Sequence, residues 1–507
     1  MITVNDLSGT DVKNIRIDLN ASSGVPDGQA DAVDIDTRGG NDNINVVVSG
    51  GKASLTGLAE TYEILGVETF DRLIVRGGGG EDTINASTVA AGAVLLTLVG
   101  GAGNDTLISG PSVNALLGGT GDDTYLTDAL STIIENAGEG SDTIKTSLNS
   151  VILGANLENL TFTGAGNFSG LGNELNNVII GGAGTDSLEG FFGNDTLMGG
   201  AGADALLGDD GTDMASYLNA AAGVKISLDL VFAATGDAAG DDLQSIEDLQ
   251  GSTFNDVLDG DGGANRLLGE AGNDQLDGGG GGDAMDGGAG ADSASYLSAA
   301  AGVTADLLRP WFNLGDALGD TYANIENLIG SNAADTLRGN NGINTINGAF
   351  GNDVIQGRDG ADTLRGASGE DRLLGETGDD VLVGGTERDL LTGGLGSDRF
   401  DYNALSESTP GAQRDLITDF TVNPAAGLSF VDRIDAETID AKAGLGGDQA
   451  FSFIGSGVFT AEGQIRALQS GTFTVVQFNT SGTGGAEMEI VLANFVAANL
   501  SAADFVL

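Results

Sequence analysis

From Gly330 to Asp401 an apolar side chain returns at every ninth residue without a miss: Leu337, Ile346, Ile355, Leu364, Leu373, Leu382, Leu391 and Phe400. A period of nine is neither the ~3.6 of a helix nor the plain alternation of a long strand. Locally the apolar residue stands between polar ones, as in Thr336-Leu337-Arg338, Thr345-Ile346-Asn347 and Thr363-Leu364-Arg365. Each triplet reads as a short strand with its middle side chain facing in and its neighbours facing out. The other six residues of each unit open on glycine, at Gly330, Gly339, Gly348, Gly357, Gly366, Gly375, Gly384 and Gly393, and most copies have another glycine in fourth place. Glycines permit backbone angles that residues with a Cβ avoid, so these six residues form a tight turn with carbonyls pointing inward. Stacked strands then bury a thin aliphatic column, and two units complete each turn of the stack. The predicted fold is all-β: a parallel β-roll, or β-solenoid, of nonapeptide repeats, followed by a C-terminal β domain.

The sixth place of each unit is as regular as the eighth. In the long block it holds Asp335, Asn344, Asp353, Asp362, Asp371, Asp380, Asp389 and Asp398. Two further blocks keep the same phase: Gly181 to Ser216, with Asp186, Asp195, Asp204 and Asp213, and Gly251 to Ser295, with Asp256, Asn265, Asp274, Asp283 and Asp292. Isolated units starting at Gly77, Gly100 and Gly118 place Asp82, Asp105 and Asp123 in the sixth position. A larger duplication lies over the small one, because "ASYLNAAAGV" at 215 recurs as "ASYLSAAAGV" at 294 and continues through "SIEDLQGS" and "NIENLIGS". The expected organisation is a degenerate solenoid with isolated units over 1–126 and a strand-rich spacer over 127–180. Roll blocks follow over 181–401, with inserts at 217–250 and 296–329, and the C-terminal domain occupies 402–507. Trp311 and Phe312, in the second insert, are expected to pack locally beneath it, the alternative being an exposed contact.

Composition changes the picture in one direction. The chain of 507 residues holds 86 glycines, and its 74 acidic against 20 basic side chains give a net charge of −54. Such composition alone would suggest disorder, but a disordered tract has no reason to keep a nine-residue register. The charge argues against nucleic acid or an anionic membrane as partner and for cations. Cysteine and histidine are absent, so thiolate and imidazole ligands are excluded and only hard oxygen donors remain in quantity. The N-terminal "MITVNDLSGTDVKN" shows no cleavable secretory signal, and the longest apolar stretch, around residues 90 to 101, is too short to span a bilayer. Without histidine there is no Ser-His-Asp hydrolase. A carboxylate pair, which could serve a glycosidase, is a base-rate event among so many acids, and no enzymatic activity is expected.

Stacking would set the sixth-position carboxylates in rows. Unneutralised, they repel, and a thin core compensates for little. A hard divalent cation held between stacked turns by carboxylates and turn carbonyls satisfies both charge and oxygen, and calcium tolerates such flexible oxygen cages better than magnesium does. The candidate side-chain ligands are the sixth-position aspartates already named. One ion between units i and i+2 gives about eleven in the three blocks.

These units resemble the repeats-in-toxin (RTX) family, glycine-rich nonapeptides of bacterial proteins exported by type I secretion. The resemblance implies calcium binding by the turn aspartates and by backbone oxygens of Gly181, Gly190, Gly199, Gly269, Gly287, Gly348, Gly357, Gly366, Gly375 and Gly393. Asn265, Asn344 and Glu387, the last in a fourth-position glycine's place, depart from the pattern and imply weaker or missing sites. The segment "DRFDYNALSESTPGAQRDLITDF" from Asp398, with "GDQAFSFIGSGVF" and the terminal "NLSAADFVL", resembles the C-terminal domain of serralysin-type secreted metalloproteases. There the chain ends in an exporter-recognised acidic residue before three apolar ones, which Asp504, Phe505, Val506 and Leu507 match. The family's zinc site, which needs three histidines, is not brought along. The expected function is a secreted calcium-stiffened rod of a surface layer, matrix or adhesive coat, folding outside the cell; the alternative is the non-catalytic carrier portion of a larger enzyme or toxin. Self-association is expected too, because the first strands show no evident capping repeat.

Overall fold

In the long repeat block each strand pairs in parallel with the strand one full turn further on. Thr363 lies opposite Val381, Leu364 opposite Leu382 and Arg365 opposite Val383, a register of two nonapeptides. Alternate units feed two ladders: one through Thr345–Asn347, Thr363–Ser368, Val381–Thr386 and Arg399–Asp401, the other through Thr336–Arg338, Val354–Asp359, Arg372–Thr377 and Leu390–Leu395. The computed structural model describes all residues except 6–11, 23, 112–114, 129–130, 423–429, 443–448 and 483, and among the described residues there is no α-helix. The chain forms two units, Met1–Ala220 with Ala234–Asp248, and Ala221–Ala233 with Leu249–Leu507.

In the second unit the eighth-position side chains Leu337, Ile346, Ile355, Leu364, Leu373, Leu382, Leu391 and Phe400 are each 0% exposed. Burying one such side chain contributes about 2 kcal/mol. The column is one side chain deep per strand, so the roll has little reserve against buried charge. Some strands run beyond the expected triplet, to six residues in Val354–Asp359 or Thr363–Ser368. Within the turn the glycines do different work. A Cβ on Gly366, in first place, would collide with Oδ2 of Asp371; Gly378, in fourth place, has φ +149 and lies against the carbonyl of Gly360. The second place also has positive φ, yet Ala349, Arg358, Ala367 and Glu376 occupy it at 73°, 82°, 76° and 77°. Glycine is thus enforced by contact in the first place and favoured by contact with dihedral in the fourth, where Phe254, Ala333 and Glu387 nevertheless stand, while side chains are tolerated in the second.

The C-terminal segment continues both ladders. Leu416–Ile417 follows Leu390–Leu395 and pairs with Met488–Leu492, which leads an antiparallel meander through Phe473–Asn479 to Gln464–Ser470. Arg433–Asp435 follows Arg399–Asp401, and the last strand, Phe505–Val506, is laid on it with Phe505 opposite Ile434. Phe420 joins the aliphatic column to this segment, its ring centroid 5.9 Å from Phe400 and 5.7 Å from Phe495.

In the first unit, parallel ladders also run through the isolated units and the spacer, for example Thr83–Asn85, Thr106–Ile108, Thr124–Leu126, Thr143–Thr146 and Asn159–Phe162. Residues 43–65 differ from the expected solenoid strands: Asn43–Ser49, Lys52–Thr56 and Thr61–Leu65 form an antiparallel meander. Its first turn is Gly50-Gly51, with φ 59 and 75, the pair of positive angles that a two-residue hairpin turn needs. A second difference lies in the later insert of the second unit. Trp311 and Phe312 do not pack beneath it but are 73% and 51% exposed. Pro310 opens a single 3-10 turn, Pro310–Phe312, with no buried residue, and the two rings meet each other at 5.9 Å.

Candidate metal sites

The strict turn geometry sets the sixth-position aspartates in hydrogen-bonded rows. In the second unit the backbone N–H of Asp335 donates to Oδ1 of Asp353 at 2.8 Å, that of Asp353 to Asp371 at 2.8 Å, that of Asp371 to Asp389 at 2.8 Å, and that of Asp389 to Asp415 at 2.9 Å. The companion row runs Asn344, Asp362, Asp380, Asp398, Asp432. The block at 251 repeats this in two rows, Asp256, Asp274, Asp292, Glu326 and Asn265, Asp283, Asp320. In the first unit the rows are Asp42, Asp82, Asp105, Asp123, Asp142, Glu158; Asp186, Asp204, Asp241; and Asp195, Asp213, Glu247.

One oxygen of each carboxylate is therefore used. The other is left over. Oδ2 of Asp353, Asp362, Asp371, Asp380, Asp389 and Asp398 is buried without a hydrogen-bond partner, as is that of Asp82, Asp105, Asp123, Asp195, Asp204, Asp213, Asp274 and Asp292. These side chains are only 0–2% exposed, so they do not face water as turn caps would. A buried acceptor without a partner costs about 1–3 kcal/mol, more when charged. Exceptions have a local cause. Oδ2 accepts an N–H from Gly182 in Asp186, from Ser252 in Asp256 and from Ser331 in Asp335, at 2.7, 2.6 and 2.7 Å.

The unpartnered oxygens converge with turn carbonyls. The point where a Cβ on Gly357 would stand lies 3.0 Å from the carbonyl oxygen of Gly375 and closer still to Oδ2 of Asp362; Gly348 is placed likewise with Gly366 and Asp353. The same pairing recurs at Gly181 with Gly199, Gly269 with Gly287, and Gly375 with Gly393, whereas Gly190 lies beside Oδ2 of Asp195. Among the described residues none of the six ion pairs involves a sixth-position aspartate. Burial therefore pushes Asp353, Asp380 and Asp398 up to about 7 and Asp389 up to about 8, with the stacked carboxylates beside them adding to the rise. Anionic, buried, all-oxygen donors fit a hard divalent cation, which would supply the missing charge and accept the spare lone pairs. At Asn344 the amide instead donates to the carbonyl of Glu326 at 2.6 Å, so this departure places a donor where its neighbours present an acceptor. Glu387 holds the fourth place at φ 81.

Asp42, Asp142, Glu158, Asp241, Glu247, Asp320, Glu326, Asp415 and Asp432 extend the rows and were missing from the sequence-derived set. Some had a signal. Asp241 and Glu247 recur as Asp320 and Glu326 in the duplicated inserts, and Asp142-Thr143-Ile144, Asp415-Leu416-Ile417 and Asp432-Arg433-Ile434 keep the aspartate and the buried apolar residue two places on. Asp142 and Asp415 lack the leading glycine five residues earlier, whereas Asp241, Asp320 and Asp432 keep one at Gly236, Gly315 and Gly427.

A family model described as RTX calcium-binding nonapeptide repeat matches residues 97–125, 171–206, 245–276, 259–294, 329–364, 338–373 and 374–404. Among solved structures the chain is similar to the AlgE6R3 and AlgE6R2 subunits from the Azotobacter vinelandii mannuronan C5-epimerase. Each is 26% identical with a TM-score of 0.22; the matches cover 34% and 36% of this chain and 78% and 91% of those chains. No curated protein matches the chain.

Proposed function

Because the chain is a calcium-binding RTX-repeat protein with an all-β parallel roll, we propose that it is a secreted structural or adhesive component whose rod folds when calcium fills its aspartate rows outside the cell. The observation that carries this reading is the run of buried Oδ2 atoms without partners. Sites lie between stacked turns, with the sixth-position aspartates and the paired first-position glycine carbonyls as ligands, about eleven ions in the three blocks. Asp186, Asp256 and Asp335, whose Oδ2 accepts an N–H from Gly182, Ser252 and Ser331, are the less demanding positions. An exposed apolar group on the later insert, Leu308, Trp311, Phe312, Leu314 and Leu318, supports a contact role. Calcium also favours association of copies by reducing the repulsion of −54 charges.

Export fits the same scheme. Ser501 caps a 3-10 turn that contains Asp504, Phe505 is 7% exposed, and its ring lies 5.1 Å from that of Phe453. An exporter that reads Asp504 to Leu507 has to meet them before the roll is folded, as in a compartment poor in calcium.

Far-UV circular dichroism of calcium-free protein, then with millimolar calcium, tests the reading. A β spectrum should appear with calcium, and Asp362→Ala with Asp380→Ala should raise the calcium needed more than Asp229→Ala, an exposed residue. A β spectrum indifferent to chelator would sink it.

A further inference from the structure

Beyond Leu126 the nonapeptide phase breaks off, and three acidic side chains come together there. Carboxylate oxygens of Asp123, Glu135 and Asp142 all lie within 4.8 Å of one another. The three side chains are 1%, 8% and 1% exposed, and neither Oδ2 of Asp123 nor Oε2 of Glu135 has a hydrogen-bond partner. Among the described residues no ion pair reaches them.

The construction differs from that of the repeats. Asp123 and Asp142 are neighbours in one row, the N–H of Asp123 donating to Oδ1 of Asp142 at 2.8 Å. Glu135 comes from outside that row, two residues beyond the short strand Thr132–Ile133, which pairs with Ala115–Leu116 in the other ladder. Its backbone is held by the N–H of Ile134 on the carbonyl of Leu116 at 3.0 Å and by the Asn156 amide on its own carbonyl at 3.0 Å. Oε1 accepts the N–H of Gly118 at 3.2 Å, a proton shared with the buried hydroxyl of Tyr125 at 2.7 Å. Only Oε2 is spare, on a side chain that belongs to the group of three carboxylates.

We propose that Asp123, Glu135 and Asp142 form a three-carboxylate site for a hard cation, calcium or a lanthanide in its place, tying the segment after Ile133 to the aspartate row. The site rests on the reading of the chain as calcium-binding but requires a glutamate that no nonapeptide supplies. Carboxylate count is one of the quantities that set the affinity of an oxygen site, so this site fills at lower calcium than those with two aspartates. It gives the spacer a stabilising role where the repeat pattern lapses.

Native mass spectrometry of the full chain at saturating calcium and tyrosine-sensitised terbium luminescence test the site. Glu135→Gln should bind one calcium fewer than the parent, with an unchanged far-UV spectrum, and Glu139→Gln, a neighbouring acid that caps Asn136, should bind the full number. Terbium added in small amounts should luminesce through Tyr125, and Tyr125→Phe should remove most of that first signal while leaving the ion count intact. If Glu135→Gln does not fold, the Tyr125→Phe comparison still decides. An unchanged count in Glu135→Gln together with unchanged luminescence in Tyr125→Phe overturns the site. In that case calcium bound by the parent, and lost with Asp362→Ala and Asp380→Ala, would leave the repeat sites standing; a parent that binds none would overturn the calcium reading itself.

Discussion

Protons should replace calcium in folding this chain, and the sign follows from the buried aspartates. In the roll, Asp353, Asp380 and Asp398 are raised from 3.8 to about 7 and Asp389 to about 8. A carboxyl whose folded value lies above its unfolded one adds stability that is fully present below the unfolded value and is lost as pH rises through the folded value. For these four the loss runs from about pH 4 to about pH 8. A rise of about three units corresponds to about 4 kcal/mol per group at 1.36 kcal/mol per unit. Halved for relaxation and water entry when the buried carboxylates ionise, this is about 2 kcal/mol each and about 8 kcal/mol for the four, comparable to the whole stability of an ordinary domain. Calcium-free protein at about pH 8 should therefore be largely unfolded, and acidification to about pH 5.5, still above the isoelectric point, should restore β structure. With millimolar calcium the order reverses: neutral pH gives the folded rod, and acid weakens calcium binding as protons compete for the same oxygens. Far-UV circular dichroism across pH with and without calcium reads both curves. A calcium-free chain already folded at pH 8, or a transition at the ordinary carboxyl value near ~4, would refute the reasoning.

Gly366→Ala should lower the calcium-loaded melting temperature by the equivalent of about 1–3 kcal/mol, because its Cβ collides with Oδ2 of Asp371. By contrast Ala367→Gly, relieving a positive φ of 76, should leave stability within about 1 kcal/mol of the parent; equal losses in both would remove the distinction between the two glycine places. Leu373→Ala, in the column at 0% exposure, should cost about 2–5 kcal/mol in a denaturant titration with calcium. Trp311→Ala, 73% exposed, should change stability by less than about 0.5 kcal/mol, and a larger loss would return this ring to the packed role expected from sequence.

What could be read from the sequence was whatever repeats at short range. The eighth-position residue and the sixth-position aspartate are fixed by the same turn in every unit, so Ile355 and Asp353, or Leu382 and Asp380, could be placed from phase alone. The ends of the rows could not, because Asp415 and Asp432 join only when residues 26 and 34 positions earlier in the chain have already stacked. The meander at 43–65 hid behind alternation that suits parallel and antiparallel pairing equally; Gly50-Gly51 was the distinguishing mark. The positive φ of the second place carried no mark in the sequence, since Arg358 and Glu376 adopt it with side chains. Trp311 was expected beneath its insert, although Pro310 opens the exposed turn that carries it outward.

The C-terminus shows why long-range dependence matters most. Phe505 is buried beside Ile434 and Phe453, and Ile434 lies on the ladder through Phe400. Asp432, whose Oδ1 accepts the N–H of Asp398 and whose Oδ2 accepts that of Thr421 at 2.7 Å, anchors the same strand, and burial raises it to about 7. Ionised and without a counter-charge, the row through Asp380, Asp398 and Asp432 works against that anchoring; neutralised, it supports it. The burial of Asp504 and Phe505 is therefore linked to the charge state of aspartates far earlier in the chain, and whatever neutralises the row also decides whether the terminus is a free tail or the closing strand.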